Sequence, residues 1–360
     1  MIWYIICFLP TMFFAYYSRR GYLRYKKRST LVNLVDYYGY FLLALIPLTI
    51  LGGIRYDVGT DYMFTYYPNF YKILAGEREY TEVGFYYLNK FIQVFSSNAQ
   101  ILFFITNFLF VFFLIRVNVK YSKNIRLSFV ITFLSCIYFY SLNNVRQAIS
   151  AVLILNALPY LVKRQFWKFL IIILLSCIFH YSALIFIPIY LIINWRVVKK
   201  YFLPIAFIML IAMPVLTNIA ILILSHTKYV YFIESYFNNG NSNYVNILFT
   251  FILLFIAYLT LYKRRFRDKY AWVFLSIHLF AFLFSYSSLF IKVSEMISRL
   301  TFYFIIFQVV SIPYIIYKNK YLSNKIAIGF TYLLLYGFYF VYYILIKGYY
   351  GILPYQTIFG

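Results

Sequence analysis

Twelve apolar runs follow one another along this 360-residue chain, separated by short charged segments, and that succession narrows the possible folds sharply. The runs cover residues 1–17, 36–53, 99–117, 127–142, 147–162, 168–181, 182–195, 202–224, 244–262, 270–290, 300–317 and 326–346. A helix needs about 20 residues to cross the roughly 30 Å hydrocarbon core of a bilayer. Only 12% of the residues are charged and 64% are hydrophobic, whereas about a quarter of a soluble domain is charged. A chain of this kind cannot hide its side chains in one core surrounded by water, so its solvent is lipid. The expected fold is all-α: one transmembrane domain over residues 1–360, a polytopic helix bundle of 12 spans, with main external segments 54–98 and 225–243.

The charges orient the bundle. Of the 33 Lys and Arg residues, 24 fall in segments 18–30, 116–126, 163–168, 196–200, 263–269 and 318–325, which a twelve-span reading places on one side. Cationic loops stay cytoplasmic, so these are the inner loops and both termini lie outside. The stretch 167–195 is decisive: as a single span it would flip every later loop and put three basic clusters outside. It is therefore read as two short helices meeting at Phe179-His180-Tyr181. Run 1–17 is followed by Arg19, Arg20 and Arg24 and has no basic residue before it, which marks a first span rather than a cleavable leader. The formal charge of +24 reflects this topology and faces anionic lipid; nucleic acid is not expected as a partner. Cys7, Cys136 and Cys177 lie inside apolar runs without metal spacing and read as small buried hydrophobes.

The acids behave oppositely. Asp57, Asp61, Glu77, Glu79, Glu82, Glu234 and Glu295 fall outside, and only Asp36 and Asp268 inside. Mixed charge at a membrane boundary calls for more than topology, because ionisable groups near membrane depth tend to be functional. Four constellations carry it. Gly52-Gly53-Ile54-Arg55-Tyr56-Asp57-Val58-Gly59-Thr60-Asp61-Tyr62 follows the second span; the plain alternative is a polar loop capping a helix, and two carboxylates do not define a metal site. Asn143-Asn144-Val145-Arg146-Gln147 forms a hairpin apex, where the guanidinium fork suits phosphate or merely snorkels to headgroups. Phe179-His180-Tyr181-Ser182 offers an imidazole that titrates near neutrality or one that only joins two helices. Glu295 and Arg299 are four apart, so a helical ion pair is the plain reading. All four constellations share the outer side of the charge-derived topology. Cations with carboxylates and one histidine suit a phosphate-bearing substrate and an acid–base step. No cofactor and no metal are expected.

At these residues the chain resembles the EpsG-type family of bacterial exopolysaccharide polymerases, related in role to Wzy O-antigen and capsule polymerases. The resemblance rests on Arg55-Tyr56-Asp57-Val58-Gly59-Thr60-Asp61-Tyr62, Glu82-Val83-Gly84-Phe85, Asn144-Val145-Arg146-Gln147 and Phe179-His180-Tyr181-Ser182-Ala183-Leu184. It implies a GT-C-like membrane fold in the bacterial cytoplasmic membrane. It also implies polymerisation of lipid-linked repeat units on the outer face, with undecaprenyl diphosphate-linked oligosaccharide and membrane lipid as partners beside a chain-length regulator. On that reading Arg55, Arg146, Gln147, Asn144, Glu82, Glu295 and Arg299 bind substrate, and His180, Asp57 and Asp61 are candidates for the base. Rival readings are a flippase of lipid-linked oligosaccharides, a GT-C transferase using lipid-phosphate sugars, and a membrane acyltransferase. Charges gathered at one boundary favour the polymerase over a transporter, whose charges sit near the midplane.

Overall fold

A computed structural model describes residues 1–77, 82–226, 243–290 and 294–360, with the side chains of 224 and 294–298 excepted. The apolar runs within these residues are helical, with breaks such as those inside runs 127–142 and 168–181. In chain order the helices are α1 (Ile2–Lys27), α2 (Leu31–Gly53), α3 (Tyr67–Leu74), α4 (Val83–Gln93), α5 (Gln100–Tyr121), α6 (Ile125–Leu134), α7 (Ile137–Asn143), α8 (Val145–Asn156) and α9 (Leu158–Lys163). They continue as α10 (Phe166–Cys177), α11 (Phe186–Asn194), α12 (Arg196–Lys200), α13 (Phe202–Ser225), α14 (Tyr244–Leu261), α15 (Lys269–Ser287), α16 (Ser294–Ile305), α17 (Gln308–Tyr317) and α18 (Leu322–Phe340).

Among the described residues eight helices are long and apolar enough to cross a bilayer, and α6 with α7, bent by 51°, makes up to nine. The bend sits at Cys136, whose φ of 63° is left-handed and cannot continue a helix. The expected twelve full crossings are not reached on this measure. Run 1–17 lies in the 26-residue α1, whose last turn carries Arg24, Lys26 and Lys27. The two runs of 168–195 become α10, of 12 residues, and α11, of 9, joined through a short 3-10 turn at Tyr181–Ile185. The break expected at Phe179-His180-Tyr181 is present, but each half is too short to span alone.

The chain divides into two compact units, Met1–Leu158 with Leu170–Leu184 and Gln308–Gly360, and Pro159–Phe169 with Ile185–Phe307. In the first, α1 and α2 form an antiparallel pair tied at its charged end by Arg24 to Asp36 at 2.6 Å. Tyr62, Tyr66, Phe70, Phe85, Ile92, Phe103, Val145 and Ile149 form a core beneath the segment between α2 and α5. In the second unit α15 is buried almost all round, as expected of a helix apolar on every face. There Phe304 stacks with Phe186 at 5.1 Å and Phe284 at 5.2 Å. The Asp268 carboxylate caps α15 by accepting from the Tyr270 and Ala271 amides.

Candidate functional site

Glu82 is the N-cap of α4, yet its side chain makes no capping bond to its own helix. A carboxylate at a helix start ordinarily accepts from the exposed amides there. Here one oxygen accepts from the Arg146 guanidinium and the other lies 3.0 Å from His180 Nδ1. Glu82 is 3% exposed, whereas the Arg146 and His180 side chains are 24% and 27% exposed. A buried acid thus holds two half-buried groups that come from positions 64 and 98 residues further along the chain.

The backbone sets this meeting. The first amides of a helix lack partners within it; in α4 the Gly84 amide donates 2.8 Å to the carbonyl of Ile178, at the break after α10. A Cβ on Gly84 would stand 2.7 Å from that carbonyl oxygen, so only glycine lets the two backbones approach. Glu82 and His180 flank this contact, which fixes their separation.

Arg146 lies in the first turn of α8, after the tight junction at Asn144 that separates α7 from α8. Tyr66, at the end of the single-turn π-helix Tyr62–Tyr66, hydrogen-bonds the guanidinium. Burial raises the Tyr66 phenol above its ordinary pKa; Arg146 pulls it down and Asp61 pushes it up. Asn143 accepts from the Thr60 hydroxyl at 2.7 Å and the Asp61 amide at 2.8 Å. Gln147 accepts from the Tyr140 hydroxyl at 2.5 Å. The first unit therefore gathers Asp61, Tyr66, Glu82, Asn143, Arg146, Gln147 and His180 around the start of α8. Asn144 is 7% exposed at the junction itself.

Arg55 stands differently. It is 2% exposed, and its guanidinium donates to the carbonyls of Val58, at 3.0 Å, and Leu142. The Phe103 ring lies 5.0 Å away. Among the described residues it faces no carboxylate, and burial lowers its pKa. Two charge-assisted bonds to carbonyls of distant segments make it an internal clasp between the loop after α2 and the end of α7. Asp57 is exposed with a left-handed φ of 51°. Arg299 is half-buried on α16 in the second unit. The side chain of Glu295 lies outside the described residues.

Sequence reasoning passed over Asn143 and Thr60 as individual residues in favour of their neighbours Asn144 and Asp61. Their one signal is an amide and a hydroxyl at the ends of apolar helices, where each has a backbone or side chain to hold. Tyr66 is indistinguishable in sequence from the other tyrosines of a membrane boundary.

An all-helical membrane bundle that buries an acid–arginine–histidine cluster beside a broken hairpin defines a polytopic membrane protein with a built polar site. The EpsG family model matches residues 37–357. The chain belongs to the EpsG family, and that membership points to exopolysaccharide polymerisation in a membrane. No curated protein and no solved structure matches the chain significantly.

Proposed function

We propose that this chain is a glycosyltransferase that polymerises lipid-linked polysaccharide repeat units on the outer face of the bacterial cytoplasmic membrane. The growing glycan moves from undecaprenyl diphosphate to the terminal sugar of another lipid-linked unit. The observation that carries this reading is the bridge from Glu82 to both Arg146 and His180. The acid gives each partner a distinct task.

With Nδ1 held by Glu82, the His180 imidazole has Nε2 left to serve as the base toward substrate. The acceptor hydroxyl oxygen attacks the anomeric carbon of the donor sugar as its proton passes to Nε2. The bond from that carbon to the diphosphate oxygen breaks, and the electron pair leaves with the lipid diphosphate. The imidazolium formed is stabilised by the adjacent carboxylate. Arg146 meets the charge that grows on the diphosphate, where a preplaced cation acts most strongly. A diphosphate needs no protonation to leave, so one base and one cation suffice. Asp61 and Asp57 belong to the loop beside this centre, and Gln147, Asn144 and Asn143 line the start of α8. Arg55 organises that loop from within.

The depth of the break supports a recessed outer site. On the charge-derived topology, Trp167 and Lys168 mark the start of α10 as its cytoplasmic end. Twelve residues at 1.5 Å each climb about 18 Å, short of the far side of a core about 30 Å thick. On the same topology, Glu82 and Gly84 meet His180 and Ile178 from the outer segment.

The test supplies purified protein with synthetic lipid-diphosphate oligosaccharide and follows chain length by mass spectrometry. His180→Ala and Arg146→Ala are expected to leave single units while the protein stays folded in the membrane. Long chains from both variants would overturn the mechanism. In cells, loss of a polymerase leaves single units on the outer face, whereas loss of a flippase traps them inside.

A further inference from the structure

Beyond the π-helical turn Val341–Ile346 the chain reverses at Gly348 and runs across the loop that follows α2. The contact is made mainly by backbone. Tyr56 donates its amide to Gln356 at 3.0 Å, Gly59 to Gly351 at 2.9 Å and Thr60 to Tyr350 at 3.0 Å. Ile358 donates in return to Ile54 at 3.0 Å, and Arg55 bridges Thr357 in antiparallel fashion. A loop without regular structure has few partners of its own for these groups, so the crossing segment supplies them. Side chains anchor it on both flanks: the Tyr355 hydroxyl donates to Leu51 at 2.5 Å, and Tyr4 of α1 donates to the Ile352 carbonyl at 3.0 Å.

Thr60 turns this contact inward. Its amide is held by Tyr350, and its hydroxyl holds Asn143, three residues before Arg146. A second route runs from the Tyr350 ring to that of Tyr140, 5.4 Å away, and from the Tyr140 hydroxyl to Gln147. The first route ends on Asn143, the last residue of α7, and the second on Gln147, in the first turn of α8.

We propose that Gly348–Gly360 is a strap that fixes the loop Ile54–Asp61, and that Thr60 is a positioning residue through which the strap sets Asn143 and the Arg146 end of α8. The catalytic part of this inference rests on the polymerase reading; the mechanical part does not. Gly351 is the sensitive point of the strap. Its φ is +58° and a Cβ there would lie 3.2 Å from the Thr60 methyl carbon, so a β-branched residue is both strained and crowded.

Two measurements separate the parts. In a background with Cys7, Cys136 and Cys177 replaced by alanine, Val58→Cys places a thiol in the loop at a position 0% exposed. Maleimide labelling in membranes is expected to be slow, and about tenfold faster or more once Gly351→Val is added and the loop opens locally. Gly351→Ala is the milder second variant, expected between the two. Equal labelling in all three overturns the strap. Elongation is then compared in Thr60→Ser, which keeps the hydroxyl, and Thr60→Val, which does not. Thr60→Ser is expected to elongate as the natural protein does. Thr60→Val is expected to lose tenfold or more, for misplacement near reacting groups is costly, with an unchanged thermal midpoint. Full elongation by Thr60→Val, or equal loss in Thr60→Ser, overturns the positioning role. Labelling that follows the strap while His180→Ala elongates normally would remove the polymerase mechanism and leave the strap standing.

Discussion

Replacing Gly84 by alanine adds one methyl group where the site has least room. The new Cβ would lie 2.7 Å from the Ile178 carbonyl oxygen and 3.0 Å from its carbon, whereas ordinary contact begins at 3.4 Å. The obstacle is backbone, so no side chain can swing aside. The start of α4 must retreat from the break after α10 by about 0.7 Å. Overpacking of this kind costs about 1–3 kcal/mol, which a bundle of this size tolerates. The functional cost is larger, because the shift separates Glu82 from His180, now 3.0 Å apart. A displacement of about 1 Å near reacting atoms is worth about 10²-fold in rate, so Gly84→Ala is expected to elongate about 10- to 100-fold more slowly. The assay is mass-spectrometric chain length from lipid-diphosphate oligosaccharide, with the thermal midpoint measured in parallel. The control is Gly39→Ala, in α2, where a Cβ meets nothing within 4 Å; it is expected to keep full activity and to gain about 0.5–1 kcal/mol. Elongation by Gly84→Ala at the natural rate would refute the claim that the backbone contact sets the Glu82–His180 distance.

Glu82→Gln keeps the shape of the side chain but removes its charge; elongation is expected to fall by about 10²–10⁴-fold, the usual worth of acid–base help, while a variant within twofold of natural would dismiss the bridge. Arg55→Leu removes the donors to Val58 and Leu142, each charge-assisted bond being worth about 1.5–3 kcal/mol, so a lowered thermal midpoint and poor membrane yield are expected; a stable but inactive protein would instead point to substrate contact. Tyr66 keeps its proton to higher pH when folded than when unfolded, because burial raises its pKa. The unfolded chain therefore sheds that proton first, stability falls as pH rises above about 10, and the fall in thermal midpoint is expected to be shallower in Tyr66→Phe. An unchanged slope would place the alkaline sensitivity elsewhere.

The helical membrane fold was legible because hydropathy and charge act locally: an apolar run with flanking arginines states its solvent without reference to the rest of the chain. The site was legible in part for the same reason. Arg146 and His180 stand out as ionisable groups between apolar runs, where each has a desolvation cost to offset, whereas Glu82 is marked only by the family resemblance. Their grouping followed only from a shared side of the membrane, and the actual link, one acid bridging both, depends on the break after α10 and on Gly84. The number of full crossings was less legible, since the sequence shows where α10 and α11 part but not that each is too short to span. Arg55 was read as substrate-facing because a charge beside two acids looks catalytic; its partners are carbonyls, and carbonyls have no signature in sequence.

The same limit hides Gly348–Gly360. Its hold on the loop after α2 consists of amides and carbonyls that every residue possesses, so no pattern of side chains marks the pairing. What the segment leaves in sequence is indirect: Gly348 and Gly351 at left-handed φ, and tyrosines that a membrane boundary would carry anyway. A site assembled in this way has its reacting groups at helix starts and breaks and its alignment stored in a crossing of two irregular segments. Substitutions along that crossing should therefore be tolerated wherever only the backbone is used, and harmful at Thr60, Tyr350, Gly351 and Tyr355, where a side chain or its absence enters the contact. A scan of elongation in which changes at Gln356 and Thr357 matter more than changes at Thr60 would contradict that division.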